Sequence, residues 1–277
     1  MARWVDFNND YKTMDIDFME SVWWVFKSLW EKELIYEGVK VVPYSWRVST
    51  PLSNFEANLN YKDTQDPSIT VRFKVMNEKN LYFLAWTTTP WTLPSNMALC
   101  AGANLDYCIV KDKQSGDRYI LTQSCVASYF KNDSYEILNK IKGSKLYGMK
   151  YEPLFDFSKT KLDSYHEWSV QLDDYVSDNS GTGLVHLACF GEDDVRIFQR
   201  EAIPIFDPVN DEGNFLDYMG FIAGKNIKDA DKTIIQRLKE EGKMFLHETI
   251  QHSYPFCWRT DTPLIYKPIS TWFVNVE

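Results

Sequence analysis

Apolar residues recur at three- and four-residue spacings near the start of the chain, a pattern typical of an amphipathic helix. The pattern predicts a helix over residues 14–32, with an apolar face formed by Phe18, Val22, Val25, Phe26 and Leu29. A second helix is predicted over 233–243, ending at Gly242, where glycine permits a left-handed cap. A third, short helix is expected over 195–202, after a run of acidic residues.

Between these helices the hydrophobic pattern changes to one of strands and turns. Residues 69–75 and 81–89 are rich in β-branched and aromatic residues and flank a polar turn, which predicts a β-hairpin. Shorter strands are expected over 106–111 and 117–122, and prolines in 41–59 indicate further strands joined by turns. The sequence therefore predicts a mixed α+β fold dominated by strands.

The chain shows no internal repeat, low-complexity tract or flexible linker. It begins in an aromatic stretch and stops at an apolar, strand-like segment, so both ends resemble cuts in a longer protein. We expect three parts: a helical and extended lead-in over 1–45, a main domain over 46–250, and a return segment over 251–277.

Composition narrows the class of protein. Of the 277 residues, 44% are hydrophobic and 25% are charged, which is typical of a globular chain, and we find no membrane helix or signal segment. The five cysteines are scattered without a CxxC pair, which favours reduced thiols in a cytoplasmic protein over disulfides or a zinc site. The net charge of −9 opposes unaided binding to nucleic acid.

Residues 87–96, TTTPWTLPSN, concentrate threonine, serine and asparagine side chains between two prolines. Such an array supplies neutral hydrogen-bond donors and acceptors in a stiffened segment, which suits a sugar or an ester better than a metal. A threonine-rich strand edge entering a turn is an equally good interpretation of the composition.

Residues 181–194, GTGLVHLACFGEDD, form a second candidate segment. Two glycines allow close backbone approach before a short strand that ends near His186. The acids that follow, Asp193 and Asp194, are expected at the start of a helix, where a capping role is the usual one. A single histidine at a strand end is likewise more often structural than functional.

Other chemistries gain little support. GTGLVH lacks the third glycine of a dinucleotide-binding loop and the lysine of a phosphate loop, and no GxSxG motif is present. Cys189 lies near His186, which leaves a cysteine hydrolase as a remote alternative without an evident third group. His252 and Cys257 could bind zinc, but further ligands are missing, so no metal and no cofactor are predicted.

Three segments together, TTTPWTLPSN, GTGLVH with GEDD, and PYSWRVSTPLSNFEANLNYKD, resemble the editing insertion of isoleucyl-tRNA synthetases. The resemblance spans nearly the whole chain, and PLSNFEA is more similar to eukaryotic-type members. Valyl and leucyl enzymes carry an arginine-containing TTRPET-like motif in place of TTTPWT. The His-x-Gly-His and Lys-Met-Ser-Lys-Ser signatures of amino-acid activation are absent from this sequence.

The resemblance implies a fold and a reaction. The fold is a strand-rich, distorted β-barrel with peripheral helices, and the reaction is hydrolysis of valine from mischarged isoleucine tRNA. Asp194 would bind the α-ammonium group, and His186 would exclude the extra methylene of isoleucine. The remaining implied residues surround the ester and the terminal adenosine: Thr87, Thr88, Thr89, Trp91, Asn96, Gly181, Thr182 and Gly183.

The resemblance also implies partners. These are the 3′-terminal aminoacyl-adenosine of the tRNA and the remaining domains of a parent synthetase, with no membrane. One alternative remains open: a connective fragment that contacts tRNA but hydrolyses nothing outside the full synthetase. The acidic net charge makes this alternative reasonable, because other domains would then supply most phosphate contacts.

Overall fold

Twelve strands and five α-helices make up the described part of the chain, which in this computed structural model comprises residues 4, 6, 8–131, 133–162 and 167–276. The strands are β1 Ile35–Ser45, β2 Thr50–Pro51, β3 Tyr61–Lys74, β4 Leu81–Thr87, β5 Ala98–Ala101, β6 Asp106–Asp112, β7 Arg118–Thr122, β8 Tyr135–Lys142, β9 Val170–Leu172, β10 Leu184–Leu187, β11 Met244–Pro255 and β12 Ile265–Val274. The helices are α1 Ile16–Glu31, α2 Asn54–Ala57, α3 Val126–Tyr129, α4 Glu192–Arg200 and α5 Ile227–Glu240. Short 3-10 helices occur at Pro90–Ser95, Gln123–Cys125, Gly143–Leu146, Phe157–Thr160 and Gly220–Ile222.

The chain divides into two units. Unit 1 is Met1–Lys40 with Ile269–Glu277, and unit 2 is Val41–Pro268. Unit 1 contains α1, which has the predicted amphipathic spacing but no buried residue. Within the described residues, no helix is long and apolar enough to cross a membrane. The predicted division into a lead-in, a main domain and a return segment, with boundaries at residues 45 and 250, stays a prediction.

Unit 2 is built around a six-stranded sheet in the order β11-β3-β4-β7-β6-β8. Strands β3 and β4 pair as the predicted antiparallel hairpin, with Phe73 opposite Phe83. Both rings are fully buried because these strands carry apolar residues on both faces of the sheet. Strands β4 and β7 pair in parallel, which joins the hairpin to the strands that follow it.

A second sheet, β10-β5-β9, lies against the first and positions the candidate site. Strand β5 is buried along its whole length between antiparallel β10 and parallel β9. The register places His186 opposite Leu99. Since β10 packs against β4, the segment that follows β4 and the segment that precedes β10 meet on one side of unit 2.

The predicted mixed fold, with strand-rich sheets and peripheral helices, is confirmed. Two local predictions were wrong. Residues 54–57 form a helical turn instead of strand or turn, because Ser53 and Glu56 make a capping box. Helix α5 begins at Ile227, six residues before the predicted start, because the Asn226 side chain accepts a hydrogen bond from the Lys228 amide and caps it.

Candidate functional site

The two segments singled out in the sequence converge on one cavity of about 370 Å³. It opens between the end of β4, the glycine-rich turn before β10 and the first turn of α4. Of the predicted site residues, eight line it: Thr87, Thr88, Thr89, Gly181, Thr182, Gly183, His186 and Asp194. Further lining residues are Trp86, Thr92, Tyr175, Val176, Ser177, Ser180, Leu184, Val185, Ala188, Phe190 and Gly191.

Four threonines, which we call the threonine wall, line one side of the cavity: Thr87, Thr88, Thr89 and Thr92. Hydrogen bonds among these residues hold the wall in place. The Thr89 backbone N–H donates to Thr87 Oγ1 at 3.0 Å, and the two hydroxyl oxygens lie 3.1 Å apart. Pro90 begins the 3-10 helix Pro90–Ser95, and its fixed φ suits a first helical position. Thr92, on this helix, donates its hydroxyl proton to the Thr89 carbonyl at 2.8 Å. The hydroxyls of Thr87, Thr89 and Thr92 are therefore fixed along the cavity.

His186 is a neutral ring enclosed by hydrogen bonds. Its Nε2 lies 2.8 Å from Thr92 Oγ1, whose proton is already donated to Thr89, so Nε2 carries the donated hydrogen. Nδ1 then accepts from the side-chain amide nitrogen, Nδ2, of Asn96 at 3.4 Å. Burial lowers the pKa of His186 to about 4, which agrees with an uncharged ring. Because both nitrogens have partners, the ring is suited to form a wall and is poorly placed as a general base.

Asn96 and Trp91, predicted in the site, lie behind the cavity wall and do not line it. Asn96 orients His186: its Oδ1 accepts from the Tyr151 hydroxyl at 2.8 Å, and its amide also donates to Ala98 O at 2.9 Å. Trp91 is buried and its ring lies 4.6 Å from that of Phe190, which does line the cavity. Both act on the cavity through a neighbour, and their predicted contact with a substrate stays a prediction.

The glycine-rich turn depends on residues without a Cβ. Gly183 has φ +72, and a Cβ there would lie 2.7 Å from Thr122 Oγ1 and closer still to Thr122 Cγ2. Thr182, between the glycines, is buried and donates its hydroxyl to Leu84 O at 2.6 Å. The turn is thus tied to β4, which brings the glycine-rich and threonine segments into contact.

Asp194 is a half-buried carboxylate at the third position of α4. Its Oδ2 accepts a hydrogen bond from the Ala188 amide at 3.0 Å, and Gly191 leaves room for it, because a Cβ there would lie 2.7 Å from the Asp194 carboxyl carbon. Burial, and to a smaller degree the charge of Asp193, raises the pKa of Asp194 to about 7. No cationic side chain pairs with it in the described part of the chain.

One supporting residue could not be found from the sequence. Asp231 of α5 is buried and accepts a hydrogen bond from the Trp91 backbone N–H at 2.8 Å, so it caps the 3-10 helix of the threonine wall from 140 residues away. Burial raises the pKa of Asp231 to about 7. Sequence reasoning gave no signal for it, because α5 carries the acid within an ordinary amphipathic pattern.

Cysteine chemistry does not fit this cavity. Cys189 is fully buried, lies outside the lining and directs its Sγ to the Phe206 carbonyl at 3.2 Å. Burial raises the pKa of its thiol well above the ordinary value, which opposes a thiolate nucleophile. The five cysteines are all free and buried. Among the described residues, no group of three or more His, Cys, Asp or Glu side chains could bind a metal ion.

Two solved structures share this fold. The crystal structure of GlLeuRS-CP1 matches with a TM-score of 0.52 at 13% identity, covering 65% of this chain and 98% of that one. The P. knowlesi cytosolic leucyl-tRNA synthetase editing domain matches with a TM-score of 0.51 at 12% identity, covering 67% of this chain and 97% of that one. At this identity the likeness shows the fold alone.

The sequence itself settles the family. The model described as tRNA synthetases class I (I, L, M and V) matches residues 1–277, and the chain belongs to this family. Along its whole length it is 51% identical to the isoleucine–tRNA ligase of Bdellovibrio bacteriovorus and 50% identical to the cytoplasmic isoleucine–tRNA ligase of Mus musculus. It covers 26% and 22% of those proteins, about a quarter of their length. The resemblance to eukaryotic-type members in particular stays a prediction.

Proposed function

We propose that this chain proofreads aminoacylation by hydrolysing the ester of valine mischarged onto isoleucine tRNA. The observation that carries the proposal is a half-buried carboxylate without a cationic partner among the described residues, Asp194, which lines a cavity rimmed by threonine hydroxyls. An α-ammonium group would supply the missing cation, and the hydroxyls would surround the adjacent ester. Isoleucine–tRNA ligases as relatives and editing domains as structural neighbours support the same reaction.

The role of Asp194 follows from its electrostatics. A carboxylate in an enclosed site without a cation is destabilised in its charged form, as its raised pKa indicates. A bound ammonium group would restore the charged form through a charge-assisted hydrogen bond. Oδ2 already accepts from the Ala188 backbone N–H, which leaves Oδ1 to accept from the ammonium group. Asp194 would therefore position the esterified amino acid through its α-ammonium group, the charged group that every esterified amino acid carries.

His186 would sort amino acids by size. A synthetic site that must accept isoleucine cannot strongly exclude a smaller side chain, a limit for which isoleucyl-tRNA synthetases are themselves the standard example. A second site must do the reverse and exclude the larger side chain. The His186 ring is fixed by Thr92 and Asn96, so it cannot readily move aside for an extra methylene.

Water would attack the ester without a protein general base. Both nitrogens of His186 are engaged, and Asp194 would face the ammonium group. The hydroxyls of Thr87, Thr88 and Thr89 can hold water and donate to the oxyanion that develops on the ester carbonyl. The vicinal ribose hydroxyl of the terminal adenosine would assist proton transfer. No metal or organic cofactor is needed for this mechanism.

The proposed partners are the 3′-terminal aminoacyl-adenosine of the tRNA and the remaining domains of a parent synthetase. The net charge of −9 supports this division, because other domains would supply most contacts to tRNA phosphates. We place the reaction in the cytoplasm, in keeping with the cytoplasmic relative from mouse and the unpaired cysteines.

Deacylation of valyl-tRNA by the wild-type chain and by Asp194→Ala tests the proposal. We expect wild-type hydrolysis and at least a tenfold loss in the variant, since a hydrogen bond to a charged group is removed. Asp193→Ala is the matched control, because this neighbouring acid is exposed and pairs with Arg196. Unchanged hydrolysis by folded Asp194→Ala would refute the role of the cavity.

The acidic net charge also favours a second candidate, a connective fragment that contacts tRNA without hydrolysing it. A valyl ester of adenosine distinguishes the two, because it needs only the cavity and no phosphate contacts. Hydrolysis of this small ester supports proofreading. A chain that binds tRNA but leaves the small ester intact is a connective fragment.

A further inference from the structure

Tyr175 lines the same cavity but belongs to neither motif. It follows β9 in the chain and precedes the glycine-rich turn. Its hydroxyl oxygen is enclosed, and within the described ranges it has no hydrogen bond of ordinary geometry, although it lies close enough to Asp194 to affect that carboxyl group. Buried tyrosine hydroxyls usually have a partner, because an unpaired polar group loses its hydration without compensation. An unpaired hydroxyl in a cavity wall indicates a partner that arrives with a ligand.

Tyr175 and Asp194 line the same cavity, and each affects the pKa of the other. Burial raises the pKa of Tyr175 far above its ordinary value, and the negative charge of Asp194 is the next largest cause. Conversely, the Tyr175 hydroxyl is one of the groups that lower the pKa of Asp194 against the dominant effect of burial. A phenol with so high a pKa keeps its proton, so it can bind a substrate but cannot act as a base.

A clamp of charged groups fixes Tyr175 relative to Asp194. The Tyr175 backbone N–H donates to Asp173 Oδ1 at 3.3 Å. Asp173 in turn accepts two hydrogen bonds from Arg196, at 2.9 and 3.0 Å, and one from Arg200 at 2.7 Å. Both arginines lie on α4, the helix that carries Asp194. The loop of Tyr175 and the helix of Asp194 are therefore held together.

We propose that Tyr175 Oη is a second acceptor for the α-ammonium group of the substrate, beside Asp194 Oδ1. An ammonium group has three N–H donors in a tetrahedral arrangement, and one carboxylate oxygen satisfies only one of them. The phenol oxygen has a lone pair to accept a second while it keeps its own proton. This inference rests on the proposed proofreading function and adds a specificity-determining residue to it.

Tyr175→Phe removes only the hydroxyl, which among the described residues has no hydrogen bond of ordinary geometry to lose and interacts only weakly with Asp194. Two adenosine analogues would be titrated calorimetrically into the 277-residue chain: a valyl amide, and its 3-methylbutanoyl counterpart without the ammonium group. We expect the variant to bind the valyl amide about tenfold more weakly and the 3-methylbutanoyl amide as wild type does. In deacylation of valyl-tRNA, KM should rise while kcat changes less than about twofold.

Tyr82→Phe is the matched control, since Tyr82 lies on β4 outside the cavity lining. Equal weakening of both analogues in Tyr175→Phe, or weakening of neither, would overturn the assignment while Asp194→Asn still loses valyl binding. Wild-type binding that Asp194→Asn leaves intact would instead overturn the proposed function, and the inference with it. A loss confined to the ammonium-bearing analogue supports the inference.

Discussion

Asp194→Asn should stabilise the fold at neutral and alkaline pH while it abolishes binding. Burial raises the folded-state pKa of Asp194 to about 7, from an ordinary value near 3.8. Between these two pH values the Asp194 carboxyl group is ionised in the unfolded chain but keeps its proton in the folded chain. The folded state therefore binds more protons, and the stability contributed by this group falls as pH rises from about 4 to about 7. Above that range the loss is constant.

The magnitude follows from the size of this shift. Raising the pKa of Asp194 from 3.8 to about 7 corresponds to about 4 kcal/mol of free energy of unfolding. Of this, about 2.5 kcal/mol is lost between pH 5 and pH 8. Asparagine is uncharged at every pH and keeps an oxygen that can accept from the Ala188 amide. The free energy of unfolding of Asp194→Asn minus that of wild type should therefore grow by about 2.5 kcal/mol from pH 5 to pH 8.

Urea unfolding of both proteins at several pH values, followed by tryptophan fluorescence, measures this difference. Other groups titrate in the same range. Because the pKa of His186 is lowered to about 4 in the folded state, the stability that this group contributes to the fold is lost as pH falls below about 6.5. Asp231 behaves in the same direction as Asp194. These contributions are common to both proteins and cancel in the difference. A difference that does not change with pH would refute the reasoning about Asp194.

Three further predictions concern the walls of the cavity. His186→Ala should keep hydrolysis of valyl-tRNA but begin to hydrolyse isoleucyl-tRNA, as measured by deacylation of both; continued protection of isoleucine would contradict the sorting role. Gly183→Ala should lower the free energy of unfolding by about 2–4 kcal/mol, because a left-handed backbone and a clash with Thr122 add together; a loss below about 1 kcal/mol in urea unfolding would contradict this. Thr92→Val should cost about 1–3 kcal/mol, because it leaves His186 Nε2–H buried without an acceptor; NMR of the ring nitrogens would show whether the Nε2–H tautomer is lost, and an unchanged ring would contradict the hydrogen-bond assignment.

Local patterns in the sequence predicted much of this molecule. The hairpin of β3 and β4 and helix α1 follow from hydrophobic periodicity, which depends only on neighbours in the chain. The capping box of Ser53 and Glu56 was also present as an S-x-x-E signal, but the surrounding proline and asparagines favoured turns. The start of α5 was missed because its first turns, Ile227 to Lys232, are mostly polar, so the apolar repeat becomes evident only after them.

The candidate site was predictable where motifs carry it and not elsewhere. Thr87 and Asp194 belong to segments with unusual composition, so their meeting could be expected from the family resemblance. Asp231 and Tyr175 lie in segments of ordinary composition and reach the site through tertiary contacts. Asn96 was assigned to the substrate, yet it lies behind His186, because sequence alone does not tell which side of a wall a residue occupies.

Calorimetric binding of a stable valyl-adenosine analogue and its isoleucyl counterpart, to wild type and to Asp194→Asn, tests the central claim most directly. We predict that wild type binds the valyl analogue and excludes the isoleucyl one, and that the variant loses valyl binding by at least tenfold. Equal binding of both analogues, or valyl binding that survives the loss of the Asp194 charge, would contradict a proofreading cavity built around this carboxylate.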